Sequence, residues 1–176
     1  MKPIYISRTH LPKLEDYNEY LKKIWNSNWL TNNGELVQEL EKKLQEYWGV
    51  KHVICVDHGT SALIIALKIL NYDEVYLSPN SFIATASAPA WLGMKLNFVD
   101  LDEEYRFPAL VTHLYGQPNL VNVNPVIYDD SHAFTTTHRK KSILSYGNVT
   151  AISFNAVKIF QTIEGGAVVT KDDEIA

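Results

Sequence analysis

The sequence is poor in cysteine, in positive charge and in long apolar runs. Its single cysteine, Cys55, rules out an intramolecular disulfide and fits a reducing cytosol. Its 16 lysine and arginine residues against 20 acidic residues give a formal net charge of -4, which argues against nucleic-acid and membrane-surface partners because both require basic patches. We find no apolar stretch of membrane-spanning length and no secretory leader, and therefore expect a cytoplasmic location.

The hydrophobic residues are numerous enough, at 46%, to form the core of one compact domain covering residues 1–176. An N-terminal helical segment, 1–49, is predicted to hold two amphipathic helices, at about 13–27 and 35–48, joined by a polar loop that contains Trp29. After Gly49 the patterns alternate, with strands at 52–57, 74–78 and 95–99, helices at 60–70 and 81–92, and short strands near 109–114, 125–129, 149–154 and 167–170. This alternation predicts an α/β fold with a mostly parallel sheet and flanking helices.

Lys158 is the most informative residue of the chain. It closes the segment Ser153–Lys158, just after a predicted strand, and Glu164-Gly165-Gly166 follows it as a turn. A lysine in this place points from the sheet edge into a cleft, where burial makes its amine nucleophilic enough to form a Schiff base with an aldehyde cofactor. Judged from this segment alone, a solvated surface lysine is the commoner interpretation.

A second segment, Gly59-Thr60-Ser61, opens a predicted helix directly after a buried strand. The free backbone N–H groups and the positive end of the helix dipole suit a phosphate. When the motif is taken by itself, ordinary helix capping by Ser or Thr is the commoner interpretation.

Two further segments place polar or aromatic side chains at strand ends. Asp129 ends the strand that starts at Val126, and a carboxylate there can hold a proton on the ring nitrogen of a cofactor. His132 follows it, and Phe82 lies at the start of a small-residue helix, where its face can stack on a planar group. The alternatives are a polar turn, a structural histidine and an aromatic residue packed in the core.

The ordered series of motifs resembles the DegT/StrS-type family of pyridoxal-phosphate-dependent sugar aminotransferases. The matching segments start at about residue 3 and cover nearly the whole chain; they are Ser27–Gly34, Gly49–His52, His58–Leu63, Ser81–Thr85, Phe98–Asp102, His113–Pro118, Ile127–Asp129, Ser153–Lys158 and Glu164–Thr170. Each segment is weak singly, and their joint order and spacing make the resemblance specific.

The resemblance implies a role for each candidate residue, with pyridoxal 5'-phosphate as the cofactor and no metal. Lys158 matches the Schiff-base lysine and Asp129 the partner of the pyridine nitrogen. The remaining cofactor-binding positions are Gly59, Thr60, Ser61 and Ser153 around the phosphate, Phe82 stacked on the ring and His132 beside it. The implied fold is the large domain of the fold-type I, aspartate aminotransferase-like enzymes, without their C-terminal small domain.

The implied function is transfer of an amino group, with glutamate as donor, to a nucleotide-linked keto-sugar in polysaccharide or O-antigen sugar biosynthesis. Family members that act as dehydratases carry histidine in place of the lysine, so Lys158 favours transamination. A homodimer, or a second polypeptide, is the expected partner. Two alternatives stay open: a non-catalytic remnant of such an enzyme, and a generic phosphate-binding α/β module, which leaves Lys158 and Asp129 unexplained together.

Several departures from the family pattern bear on the site and the fold. Asp130-Ser131 replaces two small residues and is expected to add a negative charge near the site, and His58 replaces an asparagine. The segments between Asp102 and Val111 and between Pro118 and Pro125 are shorter than a parallel crossover needs, so they predict either a changed strand order or bare loops. Family members are about twice as long, so we expect a fragment, a split gene product or a reduced relative.

Overall fold

The structure is a computed structural model that describes residues 3–5, 7–100 and 103–176. Leu101 and Asp102, which belong to one of the matching segments, lie outside the described residues, as do three positions of the predicted N-terminal segment. Within the described ranges, no helix combines the length and the apolarity needed to cross a bilayer.

Two helices precede the sheet, as the sequence predicts. Helix α1 (Leu14–Ser27) ends at Asn28 and helix α2 (Glu35–Trp48) ends at Gly49, both in the left-handed conformation that allows a helix to stop. Leu44 and Trp48 of α2 are buried against the sheet, whereas none of the described residues of α1 is buried. The single-domain division with a helical segment at 1–49 stays a prediction.

Seven strands form one sheet in the order β1-β9-β8-β5-β4-β2-β3. The bounds are β1 (His52–Val56), β2 (Glu74–Leu77), β3 (Lys95–Phe98), β4 (Ala109–Thr112), β5 (Val126–Asp129), β8 (Val149–Ser153) and β9 (Gly166–Thr170), with α3 (Gly59–Leu70) after β1 and α4 (Ile83–Trp91) after β2. Strand β9 runs antiparallel to both of its neighbours, and the other described pairings are parallel. The predicted α/β fold with a mostly parallel sheet is confirmed.

Both faces of the central strands are covered, which explains why their sequences are almost continuously apolar. Leu110 and Ile127 pack with Leu63 and Leu67 of α3 on one face. On the other face Trp48 packs with a cluster of aromatic and aliphatic side chains that includes Phe134, Phe154 and Ile152. Because the central strands are held from both sides, their carboxyl ends form a rigid edge on which a site can be built.

The described residues of the two shortened crossovers form bare loops. The described residues between β3 and β4, and those between β4 and β5, contain no α-helix; the second loop has one 3-10 turn at Leu114–Gly116. A short hairpin of β6 (Thr137–His138) and β7 (Lys141–Ser142) was not predicted. Its exposed tip is Arg139-Lys140, which favours the solvated-turn interpretation of this basic run.

Candidate active site

A cleft of about 380 Å³ opens at the carboxyl ends of β4, β5 and β8, beside the N-termini of α3 and α4. Ligands of open α/β sheets bind at such an edge. Seven of the eight predicted cofactor-binding residues line this cleft: Gly59, Thr60, Phe82, Asp129, His132, Ser153 and Lys158. Residues that are far apart in sequence are therefore gathered in one cavity of a size typical for small-molecule sites.

The N-terminus of α3 is pressed against the end of β8. A Cβ atom added to Gly59 would lie 2.6 Å from the Ser153 Cβ, so only glycine permits this approach. The first intrahelical bond of α3 runs from the Ala62 N–H to the His58 carbonyl. The N–H groups of Gly59 and Thr60 precede that bond and belong to residues that line the cleft, which makes them donors suited to an anion.

Ser61 is the one predicted residue that the structure does not place in the cleft lining. Its N–H donates to the His58 Nδ1 at 2.9 Å. The neighbouring Ser61 side chain lowers the pKa of Asp57. The side chain that caps α3 is thus that of His58, not a Ser or Thr hydroxyl, and a cofactor contact by Ser61 stays an untested prediction.

Asp129 is almost completely buried, with 4% of its surface exposed, and it is held by two donors. The Thr85 hydroxyl donates to its Oδ2 at 2.8 Å, and the Ser131 N–H donates to its Oδ1 at 3.2 Å. Sequence reasoning gave Thr85 no role, although Thr85 lies one turn after Phe82 in a helix of small residues. The two donors fix the carboxylate while its remaining acceptor capacity faces the cleft.

Lys158 lies in the loop that connects β8 to β9. Backbone bonds from the Phe154 N–H to the Gly165 carbonyl (2.8 Å) and from the Ala156 N–H to the Ile163 carbonyl (2.9 Å) hold the two arms of this loop together. The Lys158 side chain is half-buried, and burial lowers its pKa, although the nearby negative charge of Asp129 acts in the opposite direction. A larger fraction of its amine is therefore neutral than in a solvated lysine.

Asn155 and Glu164 also line the cleft and were not predicted as site residues. The Asn155 amide donates to the Glu164 Oε1 at 2.7 Å across the base of the same loop. Both residues belong to the segments that carried the family resemblance, which is the signal that could have found them.

Comparison with known proteins decides the family. The model of the DegT/DnrJ/EryC1/StrS aminotransferase family matches residues 13–113 and 108–176. The chain belongs to this family. The sequence-based identification is therefore confirmed over nearly the whole chain.

The relatives in this family are sugar-nucleotide enzymes. The chain is 38% identical to a dTDP-4-amino-4,6-dideoxy-D-glucose transaminase of Shigella dysenteriae, over 99% of this chain and 54% of the relative. It is 31% identical to the GDP-perosamine synthase of Caulobacter vibrioides, over 94% of this chain and 52% of the relative. Among solved structures, DesI with its TDP-sugar product matches with a TM-score of 0.91 at 25% identity, over 100% of this chain and 51% of DesI. The chain thus spans about half the length of the relatives it matches.

The name of one relative, EpsN of Bacillus subtilis, describes a pyridoxal phosphate-dependent aminotransferase. Three features of the cleft in this chain fit that cofactor. The Gly59–Ser153 contact forms a cradle that a Cβ would fill, Asp129 is a buried carboxylate, and the Lys158 amine has a lowered pKa. Phe82 is exposed at the cleft. Within the described part of the chain, no group of three or more His, Cys, Asp or Glu residues is arranged to hold a metal ion.

His132 carries a fourth feature that fits a bound group. Its Nδ1 is buried and has no hydrogen-bond partner among the described residues. Burial and the positive charge of Lys158 lower the pKa of His132, so its imidazole is neutral near pH 7. The ring of Tyr115 stacks on it with the centroids 6.0 Å apart. An unpaired buried nitrogen is costly, which favours a ligand contact at this position.

Asp130 follows Asp129 directly but does not line the cleft. The sequence predicts that its carboxylate adds a negative charge close to the site. In the structure Asp130 is fully buried outside the cleft lining and pairs with the Nδ1 of His113, which is also fully buried. Consecutive residues of a strand point to opposite faces, so Asp129 faces the cleft while Asp130 faces away from it.

Proposed function

We propose that the chain is the cofactor-binding part of a pyridoxal-phosphate-dependent aminotransferase that transfers an amino group from glutamate to a nucleotide-linked keto-sugar. The observation that carries this proposal is the convergence of Lys158, Asp129 and the Gly59–Ser153 cradle on one cleft. The proposal includes polysaccharide or O-antigen sugar biosynthesis, action in the cytoplasm, and a homodimer or a second polypeptide that completes the site.

Each residue of the cleft has a defined part in holding the cofactor. The N–H groups of Gly59 and Thr60, together with Ser153, would bind the phosphate, and Phe82 and His132 would contact the ring. Pyridoxal phosphate supplies an aldehyde that condenses with amines and a ring that accepts the electron pair released when the donor carbon loses its proton.

The protein's own contribution is to hold and move protons. Asp129 would hold a proton on the ring nitrogen, and Thr85 and Ser131 fix the orientation of its carboxylate. The Lys158 amine, which burial makes easier to deprotonate, would take the proton from the donor carbon as general base and, as general acid, deliver it to the carbon that carried the cofactor's aldehyde.

The proposed substrate class rests on the names of the relatives. These include transaminases for sugars linked to dTDP and to UDP and a GDP-perosamine synthase. Their products differ in sugar and nucleotide, and they share an amino group on a nucleotide-linked sugar. We therefore assign this chain a keto-sugar linked to a nucleoside diphosphate, with the base left open.

Transfer of labelled nitrogen tests the activity directly. The chain, loaded with pyridoxal phosphate, is incubated with 15N-glutamate and a dTDP-linked 4-keto-6-deoxy sugar, and the amino-sugar product is analysed by mass spectrometry. We expect 15N in the product with the native chain and with the Lys171→Ala control, and none with Lys158→Ala. Unlabelled product, or equal labelling by Lys158→Ala, contradicts the proposal.

A non-catalytic role is the second candidate, because the chain spans about half the length of its relatives. In that case the chain holds the cofactor at Lys158 and transfers no nitrogen from glutamate under any of the conditions above. The same experiment therefore separates the two candidates.

A further inference from the structure

A buried acid–base pair lies directly behind the proposed active-site carboxylate. His113 follows β4 and Asp130 follows β5, and both side chains are completely inaccessible to solvent. The His113 Nδ1 contacts the Asp130 Oδ1, while the second carboxylate oxygen, Oδ2, has no partner among the described residues. Asp130 therefore depends on His113 to offset the cost of burial.

The hydrogen bonds around His113 determine the proton count of the pair. Its Nε2 lies 3.3 Å from the Asn119 carbonyl, and a carbonyl oxygen only accepts, so Nε2 carries a hydrogen. The contact between Nδ1 and Oδ1 then requires one proton between these two atoms. Burial raises the pKa of Asp130 and His113 acts in the opposite direction. On whichever atom that proton lies, the pair has no net charge.

The pair is connected by the main chain to the residues that face the cleft. The His113 N–H donates to the Asp129 carbonyl at 3.2 Å, and the Asp130 N–H donates to the Ala151 carbonyl at 2.9 Å. The Asp130 carbonyl accepts from the Ala133 N–H at 2.8 Å and so closes the turn 130–133. That turn carries His132, and Asp129 immediately precedes it.

We propose that His113 and Asp130 are a positioning pair that fixes the segment 129–133 from behind, and thereby orients Asp129 and His132 towards the cleft. The positioning role rests on the proposed function, since it matters for chemistry only if these two residues serve a bound cofactor. Of the two residues, Asp130 stands where the family usually has a small residue, whereas His113 belongs to a segment that matches the family.

Simple stabilisation is the competing explanation, and it makes a different prediction. Replacing a buried ion pair by apolar residues often leaves the stability of a protein unchanged. A purely stabilising pair would protect all core amides in common with the global stability. If the pair positions the 129–133 segment, its loss permits this segment to open locally. The amides of the segment then exchange faster than the change in global stability alone explains.

The test uses hydrogen exchange of the cofactor-free chain, followed by NMR. His113→Leu and Asp130→Ala each remove the pair, and the second places a small residue where family members carry one. His113→Asn keeps an amide N–H near the position of Nδ1. Val111→Ala is the matched control, because Val111 is fully buried on the same strand two residues before His113.

We expect the Ser131 and Ala133 amides to exchange about tenfold faster, or more, in both pair-deleting variants, after correction for global stability. His113→Asn should restore most of the protection, and Val111→Ala should change these amides only as much as the core amides of α3. Uniform acceleration of all amides in His113→Leu and Asp130→Ala overturns the proposal. If His113→Leu does not fold, Asp130→Ala decides by the same criterion.

A spectroscopic measurement links the pair to the site. With pyridoxal phosphate bound, the visible circular dichroism per bound cofactor should fall in His113→Leu and be retained in His113→Asn and Val111→Ala; equal signals in all four proteins contradict the positioning role. If the native chain binds no cofactor, the proposed function fails, whereas the exchange experiment still decides whether the pair fixes the segment.

Discussion

Two effects act in opposite directions on the pKa of Lys158. Burial lowers the pKa of its amine, and the carboxylate of Asp129 raises it. Because the neutral amine is the form that attacks an aldehyde, the pH at which Lys158 becomes reactive is lower than for a solvated lysine. The balance between these influences can be measured in the cofactor-free chain.

We predict that Asp129→Ala lowers the pKa of Lys158 further, because this change removes the negative charge that favours the ammonium form. Competitive acetylation across a pH series, read by mass spectrometry with exposed Lys171 as internal reference, measures the effect. The midpoint for Lys158 should move to lower pH while that for Lys171 stays constant. Asp172→Ala, which removes an exposed carboxylate, is the control. An upward shift in Asp129→Ala would show that the two side chains do not interact as described.

Asp129 has a separate role once the cofactor is bound. We expect Asp129→Ala to retain covalent capture of pyridoxal phosphate by Lys158 and to slow deuterium exchange at the α-carbon of glutamate by about 100-fold to 1000-fold. Loss of one preorganised group that stabilises developing charge typically has this size. Exchange is followed by NMR, with Asp172→Ala again as control. Exchange at the native rate in Asp129→Ala would exclude a role on the ring nitrogen.

The site residues that the sequence could predict lie at or after the ends of predicted strands. Asp129 ends one predicted strand and Lys158 lies in the loop after another, and the carboxyl ends of parallel strands meet at one edge. Thr85 and His113 could not be assigned a role in this way, because their contacts join side chains 44 and 17 residues apart. The pairing of Asp130 with His113 could not be predicted either, because it depends on which face of the sheet the Asp130 side chain occupies.

The contact between α3 and β8 is the element-level feature on which the cradle depends. We predict that Gly59→Ala forces these elements apart, which costs about 1–3 kcal/mol of stability and weakens cofactor binding. Urea unfolding and pyridoxal phosphate titration measure the two effects. Gly34→Ala is the matched control, since a Cβ there meets no atom closer than 3.6 Å. Native affinity in Gly59→Ala would mean that the phosphate is bound elsewhere.

Most elements could be predicted because their apolar patterns are long. The helices α2 and α3 and the strands β1 and β2 begin and end within about two residues of the predicted positions. The hairpin of β6 and β7 has two residues per strand, which is too short for any period to be read. The sequence also did not indicate that β9 runs antiparallel, because strand direction depends on how the chain returns to the sheet.

Exposed apolar surface distinguishes the molecule as a whole. Leu14 and Tyr17 lie on the apolar face of α1 and are largely exposed, and Trp25, Leu30 and Trp91 are 73%, 77% and 83% exposed. Apolar surface of this kind is typical of interfaces. The amphipathic pattern of α1 therefore predicted the helix correctly, while the described part of the chain does not provide what covers its face.

We predict that the isolated chain associates at micromolar concentration, as a dimer or a larger species, in analytical ultracentrifugation. Leu14→Glu combined with Tyr17→Glu should shift the distribution towards the monomer, because charges on this face oppose burial. Glu15→Gln, on the neighbouring exposed position of α1, is the control and should leave the distribution unchanged. A monodisperse monomer of the native chain would refute the prediction.

Covalent capture of the cofactor tests the central claim most directly. The chain is mixed with pyridoxal phosphate, reduced with borohydride, digested and analysed by mass spectrometry to locate the modified lysine. We predict modification of Lys158 in the native chain and in Lys171→Ala, with loss of the adduct in Lys158→Ala. Modification of a different lysine in the native chain, or the same yield of adduct in Lys158→Ala, would contradict the assignment of the site.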